Sequence, residues 1–245
     1  MKALFRKIHR WLGLLMAVQI LAWMVSGLYF AWFPIETIRG EHLVAEAPPP
    51  DPARFDAAVS PAQAWSGLRS SLGPGVKFTS MSLAERDGVP AYRITGNYNG
   101  QAFVRLVNAL TGTPLPAVDA AQAERIAAAA LRVPATLEGV DIIEDTPAGA
   151  EWRGRALPLW RVRYGEPERL SVYVDNWTGD VVARRTTRWR IFDFLWMLHI
   201  MDFDERDDFN TPLLQVAALL GLILALTGLV YWAMTTRLFR GARRA

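Results

Sequence analysis

Two long stretches of this chain carry no charge, and they restrict its fold more than any other feature. From Trp11 to Phe33 there are 23 residues without a charged side chain, and only Gln19 and Ser26 are clearly polar. From Leu213 to Met234 there are 22, interrupted only by Gln215, Thr227 and Tyr231. A helix of either length reaches about 33 Å, enough to cross the hydrocarbon core of a bilayer. Backbone groups in lipid must bond within their own segment, so each stretch is expected to be α-helical. A buried helix of a soluble domain is the alternative, but core helices seldom run this long without a charge.

The flanks set an orientation. Lys2, Arg6, Lys7 and Arg10 precede the first stretch, Arg237, Arg240, Arg243 and Arg244 follow the second, and no acid stands among either group. The positive-inside rule places both termini in the cytoplasm and residues 35–210 outside, which in a bacterium means the periplasm. Trp11, Trp23, Trp32, Tyr231 and Trp232 partly fit an aromatic belt. The first stretch is too long for the apolar region of a cleaved signal peptide, so an uncleaved anchor is expected. The pI of about 9.4 then reflects topology and not nucleic-acid binding. With no cysteine, disulfide frameworks, thiol catalysis and Fe–S clusters are excluded.

Between the two stretches, Ala47–Pro48–Pro49–Pro50–Asp51–Pro52 reads as a stiff linker. Two similar halves follow. Ser60 before Pro61, and Asp119 before Ala120, are helix starts. Ala91–Tyr92–Arg93–Ile94 matches Leu159–Trp160–Arg161–Val162 as strand-like alternation. Each half closes on a turn, Asn108–Ala109–Leu110–Thr111–Gly112 and Asp175–Asn176–Trp177–Thr178–Gly179, the two lying 67 residues apart. Asx at the start and Gly at the end supply side-chain capping and a positive φ. The expectation is two helix-plus-antiparallel-sheet units.

The helix, three strands and Asx-x-x-Thr-Gly turn resemble the PepSY domain, a small extracytoplasmic α+β module. His9–Arg10–Trp11–Leu12–Gly13–Leu14 and Thr227–Gly228–Leu229–Val230–Tyr231–Trp232 are similar to the membrane segments of PepSY-associated transmembrane proteins. The resemblance covers nearly the whole chain. It implies an α+β fold in which two transmembrane helices flank a periplasmic tandem PepSY-like module. The expected divisions are a cytoplasmic N-terminus (1–10), a first transmembrane helix (11–34), a periplasmic linker (35–55), PepSY-like units (56–117 and 118–187), an interfacial apolar helix (188–203), an acidic elbow (204–211), a second transmembrane helix (212–235) and a cytoplasmic C-terminus (236–245). Larger relatives have four or more spans, so a site built from extra helices has no counterpart here.

The segment Trp189–Met201 is apolar and aromatic but too short to span, so an interfacial helix is expected. Asp193 lies inside it and needs a cationic partner, for which Arg190, Arg188 and Arg39 are candidates. The acids from Asp202 to Asp208 offer hard oxygen ligands, but the EF-hand Gly and twelfth-position acid are replaced by Asp207 and Leu213, so no metal site is assigned.

The three histidines, His9, His42 and His199, all stand near the apolar stretches. Some PepSY-associated membrane proteins are linked to reduction of ferric iron or ferric siderophores through haem, and the resemblance implies haem b as a cofactor. By position on the outer side, His42 and His199 are the sharpest ligand pair and His9 is a third candidate; the alternative is a headgroup-facing His9, an ordinary loop residue at His42 and a His199 bonded to Glu41 or Asp202. No phosphate loop, HExxH or dinucleotide fingerprint occurs, so a flavin or nicotinamide site would belong to a separate reductase chain. Gly13, Ser26, Gly27, Gly221 and Gly228 allow close helix approach within a homodimer or larger complex. Two readings stand: a non-catalytic binding or accessory subunit of an inner-membrane envelope complex, engaging a periplasmic protein ligand, and a haem-binding subunit of an iron-reduction or electron-transfer system, ferric reductase-like if it is an enzyme at all. No nucleic acid is expected as a partner.

Overall fold

The computed structural model describes residues 2–236. The basic residues Arg237, Arg240, Arg243 and Arg244 lie outside the described residues. In chain order, helix α1 covers Lys2–Trp32 and the short α2 covers Ile35–Ile38. After a 3₁₀ turn at Pro52–Phe55 come α3 (Pro61–Leu72), β1 (Val76–Arg86), β2 (Val89–Tyr98) and β3 (Gln101–Asn108). Next are α4 (Ala120–Ala130), β4 (Leu137–Ile143), β5 (Leu159–Tyr164), β6 (Ser171–Asp175) and β7 (Val181–Arg185). Helices α5 (Thr187–Ile200) and α6 (Pro212–Thr235) complete the chain. The fold is α+β, and it divides into a helical unit, 1–38 with 189–245, and a module, 39–188.

In the helical unit, α1 and α6 pack side by side through Met16, Ala217 and Leu224, with Leu12, Ile20 and Trp23 around them. The rest of their apolar surface stays open. Only 11% of the most apolar window of α1 and 17% of that of α6 is buried. A core helix of a soluble domain would be covered on most sides, so these helices fit a bilayer and not a soluble core. Helix α1 starts at Lys2, well before the uncharged run, and at 31 residues is about 45 Å long. Thr211 caps α6, accepting from the Leu214 N–H at 3.2 Å, with Pro212 in the first turn.

In the module, the expected halves appear as a structural repeat. Ser60 and Gln63 form a capping box at α3, and Asp119 accepts from the Gln122 N–H at 2.7 Å to cap α4. Helix α3 lays Ala64 and Leu68 on Tyr92, Ile94 and Val107 of the antiparallel sheet β1-β2-β3. Helix α4 lays Ala123 and Ala127 on Val162, Val172 and Val174 of the sheet β4-β5-β6-β7. The closing turns match bond for bond. Asn108 Oδ1 accepts from the N–H of Leu110 and Thr111, and Asp175 Oδ1 from the N–H of Trp177 and Thr178. The N–H of Gly112 donates to Asn108 O, and that of Gly179 to Asp175 O, each at 2.9 Å, with φ of 74° and 77°. That left-handed backbone is why Gly ends both turns. The second unit continues into β7, a fourth strand; in the first, its place is taken by a short stretch that bridges Val107 with Pro114.

The stretch expected as a linker, 35–55, is not a uniform spacer. Leu43 and Val44 are buried in the core of the second repeat, Ala45 N–H donates to Ala130 O at 2.8 Å, and Val44 forms a bridge with Leu131. Apolar residues just before the prolines supply this packing, so the chain is clamped onto α4 before its proline-rich part begins.

Candidate functional site

The helical unit gathers the aromatic residues of three elements around His199. Helix α5 runs beside the C-terminal half of α1: Phe192, Trp196 and His199 lie against Phe30, and Gln19 donates to Leu198 O at 3.1 Å. Trp196 stacks on His199 with centroids 6.4 Å apart and planes at 3°. Trp23 Nε1–H donates to His199 O at 2.8 Å.

Ser26 decides the tautomer of His199. Its Oγ stands 2.7 Å from Ala22 O and 2.6 Å from His199 Nδ1. Two oxygens that close need a proton between them, and a carbonyl carries none, so the Ser26 hydroxyl donates to Ala22 O. The Ser26 oxygen then accepts from Nδ1–H. The lone pair of the imidazole is therefore on Nε2, which makes no hydrogen bond among the described residues. An imidazole with Nδ1–H held and Nε2 open is the form that ligates a metal or takes up a proton.

His9 does not share this place. His9 Nδ1 lies 3.1 Å from Leu224 O, and the ring packs in the notch left by Gly228, where a Cβ would meet it at 2.7 Å. The two motif segments of the helices thus dock on one another. His9 and Ser26 are 17 residues apart on one helix, about 25 Å. His9 and His199 therefore cannot face one another across a single haem within one chain. His42 belongs to the module, where its Nε2 lies 3.8 Å from Glu168. Haem, the group implied by the resemblance, is thus fitted by one prepared imidazole, His199, and not by the pair His9–His199.

Beyond α5 the chain makes an ordered elbow. Asp202 is 8% exposed. Its Oδ1 accepts from the N–H groups of Asp204 and Glu205, and its Oδ2 from those of Asp207 and Asp208, at 3.0–3.3 Å. Burial opposes ionisation, but these four donors hold the carboxyl below the usual range. Both oxygens are spent on the backbone, and among the described residues no cluster of His, Cys, Asp or Glu could hold a metal ion. Asp193 is buried on α5, and its carboxylate meets Arg206 of the elbow at 2.5 Å; Arg190 lies one turn earlier on the same helix. Arg206 also offers its carbonyl to Trp196 Nε1–H at 3.1 Å. Arg188, another expected partner, pairs with Glu168 at 3.1 Å. Sequence reasoning named neither Arg206 nor the Ser26 contact, because each joins positions far apart in the chain. The Asp202 loop was legible in principle, since Asp with N–H groups two and three residues on is an Asx turn.

In the module, three arginines of the first sheet hold the closing turn of the second repeat. Arg93 makes a two-point pair with Asp180 at 2.6 and 2.7 Å. Arg86 Nη1 donates to Pro116 O and Trp177 O. The Arg105 guanidinium lies 3.5 Å over the Trp177 ring. Burial works against the charge on Asp180, but Arg93 keeps its carboxyl below the usual range. The junction also settles which sheet edges are open. Arg105 Nη1 donates to Val104 O of its own strand, Leu115 N–H donates to Leu106 O, and so β3 is largely covered. Among the described residues β1 pairs as a strand with β2 alone, and Lys77–Ser80, Ser82 and Leu83 on it are exposed.

A family model described as the PepSY-associated TM region matches residues 6–245. No curated protein and no solved structure matches the chain.

The Asp202 loop carries a pH signature. A carboxyl held below its unfolded value stabilises the fold above that value, about 3.9, and the contribution disappears as pH falls through the lower folded value. Asp202→Asn keeps the shape but weakens four charge-assisted bonds. In detergent at pH 7 its melting temperature is expected about 2–6 °C below the parent, with the gap closing below pH 4. An equal gap at both pH values would contradict the charge argument.

Proposed function

The chain belongs to the PepSY-associated TM-region family, and from that premise we propose that it is a membrane-anchored binding or accessory protein whose tandem module engages a protein ligand. We place it in a bacterial inner membrane, with both termini in the cytoplasm and the module in the periplasm. The unopposed basic residues at both ends support this placement.

The observation that carries the reading is the open edge of β1. It is the longest strand of the module at 11 residues, and it is terminal in its sheet. Proteins usually protect such edges with charges, prolines or covering segments. Here β3 is covered by Arg105 and the stretch around Leu115, while the middle of β1, Phe78–Ala84, carries no charge. An extended segment of a partner can add to this edge through main-chain hydrogen bonds, with Phe78 and Leu83 as side-chain contacts.

A second reading, a haem-bearing subunit of an iron-reduction or electron-transfer system, is favoured by one observation: the Nε2 lone pair of His199, directed by Ser26 and flanked by Trp196 and Phe30. Bound haem would supply one-electron transfer. The haem would be held by His199 of this chain together with His199 of another copy, and a separate chain would supply the reductant.

Strand addition is tested with a photoreactive residue at Ser82, on β1, or at Gln101, on β3, in the full chain in native membranes. A discrete protein adduct is expected from Ser82 and not from Gln101; no adduct from Ser82, or equal adducts from both, would contradict it. The haem reading predicts a Soret band that shifts on dithionite reduction and is lost in His199→Ala. A colourless protein purified from haem-replete cells would remove it.

A further inference from the structure

The junction between the repeats encloses a cleft of about 520 Å³. Pro48, Pro49, Ile126, Ala129 and Val181 give it an apolar wall. Four carboxylates border it, and each faces an arginine: Glu46 with Arg184 at 3.8 Å, Glu85 with Arg54 at 2.8 Å, Asp87 with Arg125 at 3.1 Å and Asp180 with Arg93 at 2.6 Å. One bordering charge is left over. Arg86 has no carboxylate within ion-pair distance among the described residues, yet it is only 4% exposed.

The guanidinium of Arg86 is held but not used up. Nη1 donates to Pro116 O at 2.9 Å and to Trp177 O at 3.2 Å, which fixes the plane of the group. Its stem lies under the closing turn, where a Cβ on Gly179 would meet Arg86 Cγ at 2.8 Å and Cδ at 2.9 Å. Only glycine permits that approach, at a turn position that also requires a positive φ. Among the described residues the buried Nε has no hydrogen-bond partner and Nη2 makes no hydrogen bond. Nε–H and Nη2–H form the side of a guanidinium that grips a carboxylate at two points. Buried donors are normally satisfied, and one left open on a rigidly held cation beside a cleft points to a missing acceptor.

We infer that the cleft between the repeats binds a carboxylate carried on a small apolar body, such as the C-terminal end of a peptide, with Arg86 as its anchoring cation. The charge count favours a monoanion. Once the four acid–arginine pairs cancel, one positive charge remains, so a phosphate dianion would enter against four carboxylates with a single surplus cation. The apolar wall selects for methyl-bearing groups beside the charge. This inference does not rest on strand addition, because the uncharged edge of β1 from Phe78 to Leu83 takes no part in the cleft.

The test uses the full chain in nanodiscs and calorimetric titration with acetyl-Ala-Ala-Ala as the free acid, as its C-terminal amide, and with inorganic phosphate. The acid is expected to bind saturably, and the amide and phosphate at least tenfold more weakly. Arg86→Gln is expected to lose at least tenfold in affinity for the acid. Because that variant removes a buried group, Ala129→Trp is the control: it fills the cleft from an exposed helix position, leaves Arg86 in place, and is expected to abolish binding at an unchanged melting temperature. The inference is overturned if the acid does not bind, if acid and amide bind alike, if phosphate binds more tightly than the acid, or if either variant binds the acid as the parent does.

Discussion

Apolar surface that cannot stay in water governs this molecule. Helices α1 and α6 touch along one narrow seam and leave Leu14, Leu15, Val18 and Leu21 on one side, and Leu219, Leu222 and Leu226 on the other, open. Burying one such side chain is worth about 1.5–3 kcal/mol, so the sum over both helices far exceeds the stability of an ordinary domain. A bilayer satisfies that demand without further protein. The few polar groups on the seam are consistent with this setting: Ser26 and Thr227 return their hydroxyls to carbonyls of their own helices, and His9 sits in the notch at Gly228.

The module solves a different problem, that of joining two small sheets without a large shared core. Each repeat has its own apolar centre under its own helix, and the junction between them is largely polar: Arg93 on Asp180, Arg105 on Trp177, and Arg86 on two carbonyls. Such a junction holds by directed bonds and leaves space between the repeats. The same arginine that fastens the repeats therefore also lines the cleft.

Much of the fold was legible in the sequence because it depends on local rules. The uncharged runs, the caps at Ser60 and Asp119, and the Asx–Gly turns at Asn108 and Asp175 each require only a few neighbouring residues. The packing of Leu43 and Val44 onto the second repeat was hidden, because nothing near them marks α4 as their partner. The site was less legible still. His199 stood out by type, but its state depends on Ser26, 173 positions away, and Arg206, which pairs with Asp193, lies beyond the end of the helix. Arg86 looked like any strand arginine until the closing turn of the other repeat was laid over it.

The proposed role depends on which side of the membrane the module lies. The chain contains no cysteine, so single cysteines report without background. Ser70→Cys, exposed on α3, and Lys7→Cys, exposed at the start of α1, are treated in intact cells with a membrane-impermeant maleimide. With the module in the periplasm, Ser70→Cys is labelled at once and Lys7→Cys only after permeabilisation; the reverse pattern would contradict that placement.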